Sequence, residues 1–370
     1  MRIPVTVLGM VPLHLSFPTG RLRSRGNTPL GAAHDSRISD TYSTALAVPT
    51  RLSRSVLQFH FRFVLVGIFG ALVLCPLAWC PASPAESAQT LAVCGSSIDL
   101  SFAGETAKVS QDDLLTWIKR AATAVCTYYG KYPVSHVTLN VHTHGAPGVH
   151  SGVTYPANGG GLITISVGPA TTTRQLDSDW MLTHEMIHLA FPSMADNHHW
   201  IEEGISVYVE PIARVQAGQL SAADMWKDVV RDMPQGEPRP DDRGLDHTPT
   251  WGRTYWGGAM FCLVADVRIR EQTGNRKGLQ DALRAILDAG GVITQDWDIQ
   301  RALAVGDKAT GTTVLTDLYG ETRDKPAPVD LPALWNQLGI QRKGNGSIEF
   351  VPGAPLAKIR EAITRTANPS

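Results

Sequence analysis

The stretch THEMIHLAF, residues 183–191, places two histidines four positions apart with a glutamate after the first. Because positions i and i+4 lie on one face of an α-helix, His184 and His188 could both bind one tetrahedral zinc ion at about 2.0–2.1 Å. Glu185 would lie beside that ion and could act as a general base toward a water whose pKa zinc lowers to about 7. The spacing therefore predicts a catalytic zinc site carried by a helix.

The alternative is an ordinary buried helix whose polar side chains are satisfied by other core residues. Apolar residues around the motif recur at helical spacing: Met181, Leu182, Ile187 and Leu189. This pattern predicts a buried helix that begins near Ser178 or Asp179. Burying two imidazoles and a carboxylate without partners costs free energy, so burial itself favours the zinc interpretation over a core histidine pair.

A catalytic zinc site requires a third protein ligand. The segment WIEEGISVYVE, residues 200–210, predicts a second helix and supplies two adjacent glutamates, Glu202 and Glu203. Successive helical residues are turned by about 100°, so only one of the two can face the ion. His198 and His199, which are expected in the loop before this helix, are alternative ligands.

These two segments resemble the gluzincin zinc metallopeptidases (peptidase MA-like), particularly their aminopeptidase and glycyl-aminopeptidase branches. In those families the second helix carries a pattern like Asn-Glu-Gly-Phe-Ala-x-Tyr-x-Glu, and its first Glu binds zinc. Residues 202–210 are similar to this pattern, which implies that Glu203 is the third zinc ligand. A later Tyr-x-x-Gly context is similar to TYWGGAMFCLV, residues 254–264, which implies that Tyr255 stabilises the oxyanion.

The chain also departs from these relatives. Fourteen residues separate His188 from Glu203, fewer than is typical of the aminopeptidase branch, and the chain has no Gly-x-Met-Glu-Asn stretch. In the aminopeptidase relatives that stretch holds the free amino terminus of the substrate. Residues 156–168 include no acidic side chain, and Asp177 and Asp179 are expected to cap the motif helix. Cleavage within a peptide is therefore expected, with aminopeptidase activity as the alternative.

The order of the predicted elements indicates an α+β fold, and the resemblance implies a thermolysin-like zincin catalytic domain with a small mixed α/β N-lobe followed by a mainly helical C-lobe. A helix capped by Ser110 and Asp113 precedes three strands at 135–144, 151–155 and 161–168. The last of these strands could offer an exposed edge to an extended peptide. Later helices are predicted at 254–273, 277–289, 296–304, 313–319, 331–338 and 354–367.

Residues 89–370 are predicted to form one zincin-type metallopeptidase domain, because no linker in them is long or polar enough to divide them. Residues 1–88 are predicted to be a disordered leader plus a signal peptide or membrane anchor, with an apolar segment at about 63–80. Export from a translation start further downstream is the favoured interpretation, and an uncleaved anchor is the alternative. Both place the domain outside the cytoplasm, either periplasmic or extracellular, or anchored to a membrane.

Charge and cysteine content narrow the possible partners. The chain has 33 basic and 34 acidic residues, which provides no argument for nucleic-acid binding because that needs clustered Lys and Arg. A peptide or protein substrate is the expected partner. The chain has no Cys-x-x-Cys spacing; Cys94 and Cys126 could pair in an oxidising compartment, which would leave Cys262 as a buried thiol.

Two rival functions fit the same motifs. One is a non-catalytic peptide-binding or scaffolding protein that keeps a zincin fold, although a structural zinc site has no need of Glu185. The other is a zinc hydrolase that acts on something other than peptides. His142, His144 and His150 could suggest a second metal site, but they are expected to be strand and turn residues on the rim of the cleft.

Overall fold

The computed structural model describes residues 7–8 and 89–365. The rest of the predicted leader, including its apolar segment at about 63–80, lies outside the described residues. All described residues belong to one compact unit. Among them, no helix combines the length and the apolar character that a membrane crossing would need.

A mixed sheet forms one side of this unit. Its strands are β1 Val7–Leu8, β2 Gln89–Val93, β3 Ser96–Gly104, β4 His136–Thr143, β5 Val149–Ala157 and β6 Gly160–Val167. The strand order is β1-β5-β6-β4-β3-β2. Strands β3, β4 and β6 are parallel, whereas β5 runs antiparallel to β6. A hairpin that turns at Asn158 and Gly159 joins β5 to β6, and Gly159 has a φ of 83° that favours glycine.

The rest of the described chain is mostly helical. The helices are α1 Gln111–Tyr129, α2 Thr173–Asp177, α3 Met181–His188, α4 His199–Gln216, α5 Ala222–Asp232, α6 Gly258–Gln272, α7 Leu279–Asp288, α8 Ile299–Thr310, α9 Val314–Thr322, α10 Leu331–Leu338 and α11 Ala357–Thr364. Two 3-10 turns lie at Asp196–His198 and Met233–Gly236, and a π-helical segment at Arg253–Gly257 leads into α6. A small hairpin pairs β7 Ile340–Arg342 with β8 Ile348–Phe350.

Several sequence-based predictions of local structure are confirmed. Ser110 and Asp113 form the expected capping box at the start of α1, and Gly130 ends that helix in the left-handed conformation. A disulfide joins Cys94 to Cys126, and Cys262 is a buried free thiol. The mixed α/β region followed by a helical region agrees with the predicted order of elements.

Two predictions about strands are wrong or incomplete. Strands β2 and β3 were not predicted, because SSIDLSFAG (96–104) is rich in small and polar residues that have low strand propensity. Strand β6, which contains GLITISV, has no exposed edge, since it pairs with β4 on one side and β5 on the other. A continuous apolar strand is typical of the sheet interior, and β5, not β6, lies nearer the sheet edge.

The start of α3 is fixed by one carboxylate. Asp179 accepts hydrogen bonds from the backbone N–H groups of Met181 (3.0 Å) and Leu182 (3.2 Å), and from Nε1 of Trp117 (2.9 Å). The prediction that Asp179 caps this helix is confirmed. The same prediction for Asp177 is wrong, because that residue ends α2 and its carboxylate pairs with Arg120 on α1.

Candidate metal centre and catalytic groups

Three side chains from α3 and α4 converge in the interior; we call them the donor cluster: His184, His188 and Glu203. Their ligand atoms all lie within 4.8 Å of one another. Nε2 of His184 is 3.3 Å from Nε2 of His188 and 3.2 Å from Oε2 of Glu203, while the distance from His188 Nε2 to that oxygen is 3.7 Å. Glu203 and His184 are almost completely buried.

These distances fit a tetrahedral metal ion. Two donor atoms that each lie about 2.0–2.1 Å from a tetrahedral zinc ion are about 3.3 Å from each other. The three separations in the donor cluster, 3.2, 3.3 and 3.7 Å, scatter around that value. Two imidazoles and one carboxylate are also a ligand set known from catalytic zinc sites. The donor cluster could therefore hold a zinc ion.

The protonation states of the cluster follow from burial and mutual attraction. Burial lowers the pKa of His188 to about 4 despite the neighbouring Glu203 carboxylate. Burial alone would raise the pKa of Glu203, but His188, His184 and His199 around it hold that pKa below its ordinary value. Burial would lower the pKa of His184, but the hydrogen bond and charge of Glu203 raise it, so a metal ion would displace a proton from this imidazole. A neutral imidazole and an ionised carboxylate are the forms that bind metal. Ser206 on α4, 3.3 Å from Nδ1 of His188, helps to orient that ring.

Glu185, between the two histidines on α3, also contacts strand β5. Its Oε2 accepts a hydrogen bond of 2.6 Å from the hydroxyl of Thr154, which also contacts its carbonyl oxygen at 3.0 Å. A Cβ at Gly152 would lie 2.7 Å from Oε1 of Glu185, so only glycine leaves room for the carboxylate. We call Gly152 and Thr154 the carboxylate seat.

The carboxylate of Glu185 combines deep burial with an unused oxygen. Burial raises its pKa to about 7, although His184 and the Thr154 hydroxyl both favour the ionised form. Within the described part of the chain, Oε1 has no hydrogen-bond partner. A buried carboxylate with a pKa near neutrality and a vacant acceptor atom is suited to take a proton from water.

The ring of Tyr255 stacks near the ring of His184. The two rings are 6.4 Å apart between centroids and almost parallel, at 17°. Burial raises the pKa of the Tyr255 phenol, and the carboxylates of Glu203 and Glu185 add to the shift. The hydroxyl therefore stays protonated and can donate a hydrogen bond near the donor cluster.

The position of Tyr255 depends on a π-helical turn. That segment starts at Arg253, whose Nε lies 2.7 Å from Oδ2 of Asp242 in a buried ion pair and whose guanidinium also donates to the carbonyl of Gly236 at 2.5 Å. π-Helical turns are rare and frequently lie at functional sites. The ion pair between Arg253 and Asp242 therefore links the π-helical turn to the loop that precedes it.

Two glycines allow α4 and α6 to approach closely beside the donor cluster. A Cβ at Gly204 would lie 2.3 Å from the backbone of Gly258, and a Cβ at Gly258 would lie 2.1 Å from the carbonyl oxygen of Trp200. This contact brings Glu203, which precedes Gly204, close to the start of α6. The π-helical segment that carries Tyr255 leads into this helix.

The remaining candidate ligands have other partners. Glu202 accepts from the backbone N–H of Met194 (3.1 Å) and contacts Nδ1 of His199 at 3.1 Å. His198 contacts the hydroxyl of Tyr319 at 3.1 Å. His199 is the first residue of α4, not a loop residue as expected, and its Nε2 lies 3.3 Å from Oε1 of Glu203. His199 therefore borders the donor cluster. Helix α4 begins one residue earlier than predicted.

The three upstream histidines do not join a donor cluster among the described residues. Nε2 of His144 contacts the hydroxyl of Ser166 at 3.0 Å, and Nε2 of His150 contacts the carbonyl of His144 at 2.9 Å. His142 lies on β4. These contacts stabilise the turn between β4 and β5.

The contacts of Gly152 and Thr154 with Glu185 are not predicted by the sequence patterns. Gly152 and Thr154 lie in SGVTY, which was predicted only as a short strand. Glycine inside a strand pattern often marks a close approach of other groups, and this was the one available signal. Nothing local identifies Thr154, since its contact with Glu185 spans 31 positions of sequence.

Comparisons with known proteins support the fold. No family model matches the sequence, and a search of curated proteins finds no match. Among solved structures, the chain is similar to an aminopeptidase N family protein from Idiomarina loihiensis, at 12% identity and a TM-score of 0.52, over 70% of this chain and 50% of that one. It is also matched to an M1 zinc metallopeptidase from Deinococcus radiodurans, at 12% identity and a TM-score of 0.43, over 65% of this chain and 52% of that one.

The chain thus spans about half the length of the solved structures that it resembles. The likeness to the Idiomarina protein, at a TM-score of 0.52, supports a conclusion about the fold. The mixed sheet and the helical remainder have a fold similar to that of the matched part of this protein.

Proposed function

We propose that this protein is a zinc-dependent peptidase. The observation that carries the proposal is the donor cluster, whose separations of 3.2–3.7 Å suit a single tetrahedral ion. Glu185 beside it has an unpartnered oxygen, which a metal site with a purely structural role would not need. The gluzincin-like fold supports the same function.

Each group has a role in peptide hydrolysis. His184, His188 and Glu203 would hold zinc, which supplies Lewis-acid activation of water and of the substrate carbonyl. Glu185 takes a proton from the attacking water and delivers it to the leaving amine, so that one water and one peptide bond yield a carboxylic acid and an amine. The Tyr255 hydroxyl donates a hydrogen bond to the oxygen on which negative charge develops.

Internal cleavage is the proposed mode. No acidic residue lies in β5, the hairpin turn or β6, and the nearby Asp179 is used in capping α3. A site without a carboxylate for the substrate's amino group allows an extended peptide to continue in both directions. Aminopeptidase activity is the alternative, favoured by the fold likeness to an aminopeptidase N family protein.

We also propose that the domain lies outside the cytoplasm, exported or membrane-anchored through the apolar segment at about 63–80. The disulfide between Cys94 and Cys126 supports this location, because disulfides persist mainly in oxidising compartments.

The test combines metal analysis with peptide cleavage. The purified protein should contain one zinc per chain and cleave peptides until a chelator removes the metal. Glu185→Gln should keep the zinc but lose about 10²–10⁴-fold in kcat, the usual contribution of a general base. His188→Ala should lose both zinc and activity.

Two outcomes would contradict the proposal. Near-normal activity of Glu185→Gln would exclude the assigned base, and a metal-loaded protein that cleaves no peptide would favour the scaffolding alternative. Matched peptides with free and acetylated amino termini decide the mode: products only from the free-amine peptide, one residue from its end, would establish an aminopeptidase.

A further inference from the structure

Three large hydrophobic side chains are exposed among the described residues: Tyr155 at 37%, Trp180 at 40% and Trp251 at 47%. A single exposed aromatic residue needs no explanation. The two tryptophans differ from such a residue because each contacts a side chain of the candidate site. Trp180 meets His184 edge to face, with 5.6 Å between ring centroids, and Trp251 lies 5.6 Å from Tyr255 at an interplanar angle of 22°.

The four rings form a row across the site. From Trp251 the row continues to Tyr255, then to His184 at 6.4 Å, and then to Trp180. We call Trp180 and Trp251 the flanking tryptophans. They are the end members of this series of ring contacts, and Tyr255 and His184 lie between them.

A peptide bond held at Tyr255 and His184 would place its neighbouring side chains beside these exposed rings. Large aromatic rings gain from burying their area and from edge-to-face or offset contacts with other rings. An apolar or aromatic side chain of the substrate could therefore pack against either exposed tryptophan ring.

We propose that the flanking tryptophans select peptides with an aromatic or large apolar residue next to the scissile bond. This inference rests on the proposed peptidase function and names its substrate class. An apolar side chain seated against Trp180 or Trp251 would cover tryptophan surface that is exposed in the protein alone.

Tyr155 provides a matched control. It is exposed to a similar extent, but successive strand residues point to opposite faces, so its side chain points away from the face on which Thr154 contacts Glu185. Tyr155→Ala should therefore remove an exposed aromatic ring without changing peptide selectivity.

The experiment compares two sets of blocked peptides. In one set the residue before the cleaved bond is Phe, Leu, Ala, Glu or Lys, and in the other set the residue after the bond varies in the same way. The wild-type protein should cleave the Phe peptide with a kcat/KM at least about tenfold above that of the Ala peptide, the discrimination that a few apolar groups provide. Trp180→Ala should reduce this Phe-to-Ala ratio about threefold or more in one of the two sets, and Trp251→Ala should reduce it to a similar extent in the other set. Tyr155→Ala should keep the wild-type ratio.

A binding measurement separates this inference from the proposed function. In the Glu185→Gln background, the Phe peptide should bind more tightly than the Ala peptide, with a preference that falls in Trp180→Ala and Trp251→Ala, whether or not the wild-type protein cleaves either one. Equal binding and cleavage of Phe and Ala peptides would overturn the inference but leave the peptidase proposal standing. Loss of selectivity in Tyr155→Ala, or a dimer that dissociates when both flanking tryptophans are replaced, would also overturn it.

Discussion

The donor cluster and the carboxylate of Glu185 are neighbours, yet they are held in place in different ways. His184 and His188 occupy one face of α3, and Glu203 comes from the next helix along the chain, so the cluster is assembled by two consecutive elements. Glu185 is instead positioned by another element: on β5, the Thr154 hydroxyl donates to its carboxylate and Gly152 leaves room for it. One helix therefore presents groups of two kinds, each positioned by a separate part of the fold.

Different substitutions should therefore damage different properties. Changes in the donor cluster should remove metal and activity together, whereas changes in the carboxylate seat should lower the rate while the metal stays bound.

The strongest test contrasts two adjacent glutamates of α4. Loss of an outer-sphere partner of a metal ligand weakens metal binding by about 10–100-fold. Glu203→Ala should weaken zinc binding by more than this, because the substitution removes a direct ligand. Glu202→Ala should weaken it by less, since Glu202 contacts His199 and Met194 instead of the other donors. Zinc affinity is measured by competition with a chromophoric chelator.

Circular dichroism of both variants would verify that they are folded. Equal losses in the two variants, or a larger loss in His199→Ala, would assign the third ligand elsewhere and contradict the proposed donor cluster.

The carboxylate seat is tested by Thr154→Val, which removes the hydroxyl but keeps the shape of the side chain. A hydrogen bond to a charged group contributes about 1.5–3 kcal/mol, so kcat should fall about 10–100-fold. KM and zinc content should stay near the wild-type values, because the donor cluster is untouched. Steady-state kinetics and metal analysis measure these quantities.

Thr154→Ser is the matched control, since it keeps the hydroxyl and should retain most of kcat. If Thr154→Val lost zinc as readily as activity, the separation between the donor cluster and the carboxylate seat would be wrong.

Over a single pH unit, the pH dependence should show the smallest effect. Glu185 can accept a proton only when it is ionised, and burial raises its pKa to about 7. Activity should therefore fall as the pH drops through the pKa, about tenfold for each further pH unit. A bound cation favours the ionised carboxylate, so the midpoint is expected at or below pH 7. The measurement is log kcat/KM against pH over the range in which zinc stays bound, and a flat profile down to pH 4 would contradict Glu185 as the base.

Much of the donor cluster could be predicted from local sequence, because its geometry is mainly helical geometry. The spacing of His184 and His188 places both on one face, and the match of 202–210 to the gluzincin pattern selects Glu203 over Glu202. The structure brings these three residues together. Their role as zinc ligands stays a prediction.

The surroundings of the cluster were harder to predict. The sheet edge was assigned to the wrong strand because both strands of the β5–β6 hairpin show β-type patterns and only long-range pairing decides which one is central. His199 was placed in a loop, although α4 begins with it. Helix ends are set by capping contacts, and α4 has no side-chain capping hydrogen bond that would mark its start.

Local sequence is enough to identify the side chains that could bind a metal, since a repeat of 3.6 residues per turn places i and i+4 together wherever the helix lies. The surroundings of Glu185 and Tyr255 depend instead on long-range packing. Thr154 reaches Glu185 because β5 packs against α3, and Tyr255 reaches His184 because Gly204 and Gly258 let α4 and α6 approach closely. Such contacts depend on how distant elements pack, and no local periodicity specifies them.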